Sequence, residues 1–271
     1  MARSIASATA ELQELAGLVT NRNKRHRSGR AVVEGVRPIS VALAHGWRFE
    51  AVVSSGRARL SDWAASVVAR VGDDRHLVVP EPLMRRLTDR DELPELVGVV
   101  ATPARSIDDV GVHDRALVVV LDRPSSPGNV GTVVRTADAF AADAVIVTGH
   151  AADPWDPRAI RASTGSVFSL PVVVAGSAAS VEPLLDRCRV VGARIVGADE
   201  AGSVDVDRAA LGGPLVLVLG NEARGLGRGW RDACDELVRV PMRGSATSLN
   251  VAAAAAVVLY EADRQRRAAV R

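Results

Sequence analysis

The sequence contains almost no lysine. Lys24 is the only lysine among its 34 basic residues, and the others are arginines. Schiff-base enzymes and nucleotide-binding phosphate loops both require a lysine in the reacting segment. Lys24 lies far from the glycine-rich segments of the C-terminal half, so both classes are excluded. The planar guanidinium group of arginine binds phosphate well, but a GC-rich genome also raises the arginine content. Composition alone therefore does not identify a ligand.

Cysteine and histidine are also scarce. Cys188 and Cys234 form neither a metal-binding spacing nor a disulfide framework, and we expect both to be small buried residues. The five histidines are scattered, without the paired spacing of a metal site. We therefore expect no metal.

Long hydrophobic runs are absent. No apolar run approaches the roughly 20 residues that span a membrane. The first twenty residues are too polar for a signal sequence, so we expect a cytoplasmic protein. With 271 residues, the chain can bury the core of one large domain or of two modest ones.

Three segments of the C-terminal half place Gly, Asn, Ser or Arg directly after an apolar run. Each apolar run predicts a buried strand of an α/β sheet, and the polar ends of such strands meet where these sheets bind ligands. In the first segment Asn129 or Thr132 is expected to open a helix, and in the third a helix is expected near Ser248. The segments are RPSSPGNVGTVVRTADAF (123–140), LVLGNEARGLG (217–227) and VPMRGSATSLNVAAAA (240–255).

The N-terminal part predicts a separate small α/β domain. Strand and helix patterns alternate over about a hundred residues, and the proline-containing segment 101–114 is the expected linker. Residues 22–37 hold six basic residues against Glu34 alone. Such a stripe is typical of an RNA-binding surface, and a solvated helix face is the alternative. The candidate RNA contacts here are Arg22, Lys24, Arg25, Arg27 and Arg37.

The three C-terminal segments resemble the motifs of the SpoU (TrmH) family of SPOUT RNA 2′-O-ribose methyltransferases. The first motif matches Pro127, Gly128 and Asn129 with Arg135 six residues after Asn129. The second and third match these residues: Gly220, Glu222, Gly225, Ser248, Leu249 and Asn250. Departures from the family pattern occur at Ser126, at Ala141–Ala142 and at Ala252. Further stretches resemble the avilamycin-resistance rRNA methyltransferases of that family: 21–29, 35–40, 44–47, 149–157 and 163–171.

The resemblance implies the fold and the assembly. Residues 109–271 are expected to form a SPOUT methyltransferase domain with a parallel sheet and a trefoil knot. Residues 1–108 are expected to form a substrate-binding domain similar to a ribosomal RNA-binding protein. Physical considerations alone favour an unknotted sheet. The family also implies a homodimer, partly formed by the last helix.

The resemblance also implies roles for individual residues. Main-chain groups of Gly220, Val240 and Leu249 match family contacts to S-adenosylmethionine, and Ala198 is expected beside the adenine. The implied catalytic residues are Arg135, Asn129, Glu222, Ser248 and Asn250.

Two of these roles have alternatives. Arg135 either positions a phosphate and the hydroxyl or acts as the general base that the family assigns to it. Ser248 is either a helix N-cap or a substrate ligand.

Arg161 and Ser163 are weaker candidates for RNA contacts.

The implied function is S-adenosylmethionine-dependent 2′-O-ribose methylation of RNA, with 23S ribosomal RNA as the expected substrate. Resistance to a ribosome-directed antibiotic is an associated expectation. One alternative is a transfer RNA ribose methyltransferase, which the long N-terminal domain disfavours. A catalytically silent RNA-binding or ribosome-assembly factor is another, and the intact motif residues argue against it.

Overall fold

The computed structural model describes residues 2–7, 9–56 and 59–269. Its helices are α1 (Ala10–Thr20), α2 (Arg22–Ser28), α3 (Val36–Ala44), α4 (Asp62–Val71), α5 (Glu81–Met84), α6 (Pro127–Ala139), α7 (Pro157–Ala162), α8 (Ser166–Ser169), α9 (Glu182–Val190), α10 (Arg228–Ala233) and α11 (Val251–Ala268). Its strands are β1 (Arg3–Ser4), β2 (Arg30–Glu34), β3 (Phe49–Ser55), β4 (His76–Val79), β5 (Leu96–Ala101), β6 (Leu117–Asp122), β7 (Ala144–Thr148), β8 (Val172–Ala175), β9 (Arg194–Ala198), β10 (Val204–Asp205), β11 (Leu215–Leu219) and β12 (Glu236–Arg239).

The chain forms two compact units that do not follow its linear order. The first unit contains the described residues through Ala104 together with the segment Trp155–Ser169. The second contains Arg105–Pro154 and the described residues from Leu170 onward. The family boundary after residue 108 stays a prediction.

The first unit is built on a five-stranded mixed sheet in the order β1-β4-β3-β5-β2. Strands β1, β4 and β3 are parallel, whereas β5 is antiparallel to both β3 and β2. Its core contains the fully buried residues Leu18, Val32, Val53, Leu77 and Val97. The small N-terminal α/β unit predicted from the sequence is thereby confirmed.

The segment Trp155–Ser169 is held within the first unit by aromatic packing. The Trp47 ring lies 5.4 Å from the Trp155 ring and 4.9 Å from the Phe168 ring, measured between centroids. Its indole Nε1 also donates to the Phe168 carbonyl at 2.9 Å. Gly165, with φ +94°, packs against Val41 so closely that a Cβ would lie 3.0 Å away. Few aromatic residues occur in the chain, and three of them fix this segment.

The second unit contains a seven-stranded sheet in the order β10-β12-β9-β11-β6-β7-β8. Every pairing in this sheet is parallel. Strands β6, β7 and β11 are buried along their whole length, as expected for parallel strands covered on both faces. The predicted parallel α/β sheet is confirmed.

Two predicted helix starts require correction. Helix α6 begins at Pro127, not at Asn129 or Thr132, because Ser126 Oγ caps the Asn129 amide and proline suits the first helical position. Helix α11 begins at Val251, because Asn250 Oδ1 accepts from the Ala252 amide at 2.9 Å. Ser248 is therefore not the N-cap.

Candidate functional site

A cavity of about 410 Å³ opens at the carboxyl ends of β9, β11 and β12 in the second unit. This is the edge at which open α/β sheets bind ligands, and the volume suits a small molecule. All four residues predicted to bind the cofactor line the cavity, together with Glu222 and Ser248. The four are Ala198, Gly220, Val240 and Leu249.

One wall of the cavity is a tight turn that begins directly after β11. A Cβ on Gly220 would lie 2.4 Å from the backbone of Gly225 and of Leu226, so only glycine allows this approach. The Asn221 and Gly225 backbones exchange two hydrogen bonds of 3.0 and 2.9 Å. Asn221 Oδ1 also accepts from the amides of Ala223 and Arg224, each at 3.0 Å. The turn is therefore fixed by its own hydrogen bonds.

The Glu222 carboxylate ties this turn to the start of α6. It accepts from the Ser125 amide at 2.9 Å, the Ser125 hydroxyl at 2.8 Å and the Asn129 side-chain amide at 2.8 Å. A fourth, longer bond comes from the Ser126 amide at 3.3 Å. Burial acts to raise the pKa of Glu222, but the hydrogen bonds from Asn129 and Ser125 outweigh it and hold the pKa below its usual value. Glu222 is therefore ionised at neutral pH and acts as an acceptor.

Asn129 extends the network to the third motif. Its Oδ1 accepts from Asn250 Nδ2 at 3.1 Å, while Asn250 Oδ1 caps α11. Glu222, Asn129 and Asn250 thus form a chain of hydrogen bonds that links all three motif loops. Three of the five predicted catalytic residues meet in this way.

The other two predicted catalytic residues are placed differently. Ser248 lines the cavity and is exposed. Arg135 lies on the exposed side of α6, about 9 Å along the helix axis from Asn129. Within the part of the chain that the structure describes, its guanidinium makes no hydrogen bond or ion pair. The roles of Arg135 and Ser248 stay predictions.

Sequence reasoning missed three groups at this site. Asp122 is 5% exposed and accepts from the Gly227 amide at 2.7 Å and from the Arg123 guanidinium at 2.9 Å. Beside the cavity, Arg231 donates to Asp199 Oδ2 at 2.6 Å. A carboxylate at the end of the buried run LVVVLD was a signal for Asp122. Nothing in the sequence indicated that Arg231 and Asp199 pair.

Four of the predicted RNA contacts lie on α2, and one of these requires correction. Arg25 is 3% exposed and donates to the carbonyls of Leu18 at 2.9 Å and Val19 at 3.2 Å. It also forms an ion pair with Asp156 at 3.4 Å. Arg25 therefore faces the interior of the first unit and does not contact RNA. Its neighbours Arg22 and Lys24 are partly exposed, and Arg27 is exposed.

The remaining RNA candidates also differ in exposure. Arg37, at the start of α3, is exposed. Arg161 binds both oxygens of Asp89, at 2.6 and 3.1 Å, and this pairing lowers the pKa of Asp89. Ser163 is fully buried and donates to the Ile160 carbonyl, so the prediction that it contacts RNA is wrong. Glu34, beside Arg161, is buried, and desolvation raises its pKa.

Neither a metal-binding cluster nor a membrane-spanning helix occurs in residues 2–7, 9–56 and 59–269, the part of the chain that the structure describes. No group of three or more His, Cys, Asp or Glu side chains in these ranges is arranged to hold a metal ion. Likewise, no helix in them is both long enough and apolar enough to cross a membrane.

The family of the chain follows from its sequence matches. Residues 116–260 match the SpoU rRNA Methylase family, and residues 9–98 match the SpoU L30e-like domain. The chain therefore belongs to the SpoU rRNA methylase family, as the three motifs predicted.

Individual relatives agree with this assignment. The chain is 45% identical over 267 residues to the 23S rRNA (uridine(2479)-2′-O)-methyltransferase of Streptomyces viridochromogenes, covering 98% of this chain and 93% of that protein. It is 34% identical to the 23S rRNA (guanosine-2′-O-)-methyltransferase RlmB of Vibrio cholerae, covering 72% of this chain and 86% of RlmB.

The fold also matches a solved structure. The crystal structure of the SpoU methyltransferase AviRb from S. viridochromogenes, in complex with the cofactor AdoMet, superposes with a TM-score of 0.89 at 43% identity. The match covers 96% of this chain and 99% of AviRb. The predicted resemblance within the family is confirmed.

Proposed function

We propose that this protein transfers a methyl group from S-adenosylmethionine to a ribose 2′-hydroxyl of 23S ribosomal RNA. The observation that carries the proposal is the cavity at the ends of β9, β11 and β12. The cavity is lined by the four predicted cofactor residues and adjoins the Glu222–Asn129–Asn250 network. The 45% identity to a 23S rRNA 2′-O-methyltransferase supports the substrate class.

The cavity suits the methyl donor. At Gly220 a side chain would collide with the following turn, so the strand end presents main-chain groups that a ligand can approach closely. Main-chain groups of Gly220, Val240 and Leu249 would hold S-adenosylmethionine, and Ala198 would border its adenine. When bound, this cofactor supplies an activated methyl group on a sulfonium.

The chain's own residues would then position the acceptor. The hydroxyl oxygen must be aligned and must lose its proton. Arg135 has an exposed guanidinium that can grip a phosphate and orient the hydroxyl, and the family role of general base is the alternative. Ser248 lines the cavity, and Asn250 rather than Ser248 caps helix α11, which favours the substrate-ligand role for Ser248. The hydrogen bonds among Asn129, Asn250 and Glu222 would hold the three motif loops in fixed positions relative to one another.

RNA binding would involve the basic residues of the first unit. Arg22, Lys24, Arg27 and Arg37 are the candidates for phosphate contacts, with Arg161 as a further one. Phosphate contacts of this kind are independent of sequence and weaken with salt.

We also infer the assembly and the setting of the protein. Val257 and Tyr260 are 39% and 54% exposed on α11, which favours a homodimer that covers the last helix. A trefoil knot in the second unit, a cytoplasmic location and resistance to a ribosome-directed antibiotic are further proposals. They are supported by membership of the family and by similarity to AviRb.

Mapping of 2′-O-methylation tests the proposed function. Naked 23S rRNA, 50S subunits and transfer RNA are each incubated with the protein and labelled S-adenosylmethionine in the presence of a metal chelator. We expect one ribose to be labelled, together with cofactor binding that calorimetry detects in the same buffer. Absence of binding would refute the cofactor assignment. Binding without RNA labelling would favour the catalytically silent RNA-binding factor. Labelling of transfer RNA alone would favour a transfer RNA ribose methyltransferase.

A further inference from the structure

Arg123, which follows β6, has a left-handed backbone conformation with φ +52°. Only three non-glycine residues among those that the structure describes have positive φ, and Arg123 is the one beside the motif network. This conformation is unfavourable for an L-amino acid with a side chain, and it persists only where the surroundings enforce it.

The surroundings bind Arg123 at three points. Its guanidinium grips Asp122 with Nε at 3.0 Å from Oδ1 and Nη2 at 2.9 Å from Oδ2. Its amide donates to the Thr148 carbonyl at 2.9 Å, at the end of β7. Its carbonyl accepts from Asn221 Nδ2 at 2.7 Å, in the turn that lines the cavity. One residue thus joins the ends of β6 and β7 to the second-motif turn.

Two glycines provide the space for this arrangement. A Cβ on Gly149, which has φ +73°, would lie 2.6 Å from Arg123 Cγ. A Cβ on Gly227 would lie 2.9 Å from Asp122 Oδ2 and 3.0 Å from Arg123 Nη2. A side chain at either position would displace the guanidinium or its partner. The site therefore has room for the Asp122–Arg123 pair only while both positions are glycine.

We propose that Arg123 is a positioning residue for methyl transfer, an inference that rests on the proposed function. Its backbone conformation directs the chain toward Ser125 and Ser126, whose amides donate to Glu222. Its carbonyl also accepts from the Asn221 side chain in the second-motif turn. Arg123 does not line the cavity, so it acts through these residues and not on the reacting atoms. A displacement of about 1 Å in such a loop can lower turnover about a hundredfold.

The Arg123→Gly variant tests this role. Glycine adopts positive φ without strain, so the backbone path stays accessible, but the side-chain pair with Asp122 that holds the backbone in this path is lost. We expect kcat to fall at least about tenfold, with Kd for S-adenosylmethionine and KM for rRNA within about twofold of wild type. The Asp122→Asn variant should lose a similar factor. The double variant should lose less than the two single losses combined, because both single substitutions break the Asp122–Arg123 pair.

Hydrogen exchange supplies a readout that does not require activity. In Arg123→Gly, the amides of Ser125, Ser126, Ala223 and Arg224 should exchange faster than in wild type. Arg228→Ala is the control, since Arg228 is exposed and its one ion pair among the described residues is with Asp232, at 3.6 Å. If the wild-type protein transfers no methyl group, the proposed function is refuted. The hydrogen-exchange comparison of wild type with Arg123→Gly then still tests whether Arg123 positions the loops. Unchanged exchange, a kcat within twofold of wild type, or additive losses in the double variant would each overturn the inference.

Discussion

At the scale of single residues, the carboxylate of Glu222 organises the site. One ionised side chain accepts from two main-chain amides, a hydroxyl and the Asn129 amide, and it thereby fixes the loop before α6. A carboxylate with this many donors is a poor proton acceptor, because protonation would forfeit charge-assisted hydrogen bonds. We therefore infer a positioning role for Glu222, in which the proton of the hydroxyl leaves by another route.

The pH dependence of stability should reveal this role. Because the folded-state pKa of Glu222 lies below its usual value of 4.5, its contribution is complete above pH 4.5 and is lost as the pH falls through the folded pKa. We expect Glu222→Gln to cost about 1 kcal/mol near neutral pH, a modest figure because the carboxylate is partly solvated. The difference in Tm from wild type should shrink as the pH falls below 4.5. Glu200→Gln, in the same cavity, should show no such difference, and a pH-independent difference for Glu222→Gln would contradict the assignment.

Arg135 is the residue on which turnover should depend most. Its side chain makes no hydrogen bond or ion pair among the described residues, so Arg135→Ala should leave the fold and cofactor affinity intact. We expect methyl transfer to fall about a hundredfold or more. Arg135→Lys should also fail, because an ammonium cannot reproduce a planar fork.

Transfer of labelled methyl to naked and ribosome-bound RNA measures this loss, with cofactor affinity followed in parallel. Arg208→Ala, another exposed arginine of the second unit, serves as the matched control. Near-normal turnover of Arg135→Ala would remove Arg135 from the mechanism and direct attention to Ser248.

At the scale of elements, α2 combines two kinds of basic residue on one short helix. Arg25 points inward and joins α1 carbonyls to Asp156, whereas Arg27 points outward. Neighbouring residues on a helix face different directions, so a run of charges in the sequence does not correspond to a single surface. The buried and the exposed basic residues of segment 22–37 therefore have to be tested separately.

The two classes should respond differently to neutralisation. Replacing Arg22, Lys24 and Arg27 together by Gln should weaken RNA binding and flatten its salt dependence, with little change in Tm. Arg25→Gln should instead cost about 2 kcal/mol of unfolding free energy, because it leaves the buried carbonyls of Leu18 and Val19 without their donor, whereas Asp156 keeps its ion pair with Arg158. Filter binding over a salt series and thermal unfolding distinguish the two. An unchanged salt slope in the triple variant would assign α2 to an ordinary solvated face.

The same scale shows what the sequence could and could not predict. Strands β6 and β11 were predictable because their runs are apolar apart from Asp122 at the end of β6. The motif loops were predictable because polar residues follow those runs directly. The start of α6 was misplaced because Ser126 and Pro127 already satisfy the helix terminus. Packing of Trp47 on Trp155 and Phe168 was not predictable, since the partners lie more than a hundred residues apart and carry no local signal.

At the scale of the whole molecule, two units divide the work that the proposed function requires. The first unit carries the candidate RNA contacts, and the second carries the cavity and the motif network. The net charge of +2 conceals this division, because the basic residues of α2 are offset by acidic residues elsewhere. Function in such a chain follows from local charge and geometry more than from composition.

Dimerisation through α11 is the prediction that belongs to the whole molecule. Val257 is 39% exposed on α11, whose N-cap residue Asn250 joins the third motif to Asn129. Burying a charge in an apolar interface is costly, so Val257→Glu should convert a dimer into a monomer at micromolar concentration. Val190→Glu is the matched control, because Val190 is 87% exposed on α9 and should tolerate the same charge. Sedimentation velocity reports the state of each variant. A wild-type protein that sediments as a monomer, or a Val257→Glu variant that remains dimeric, would place the interface away from this face of α11.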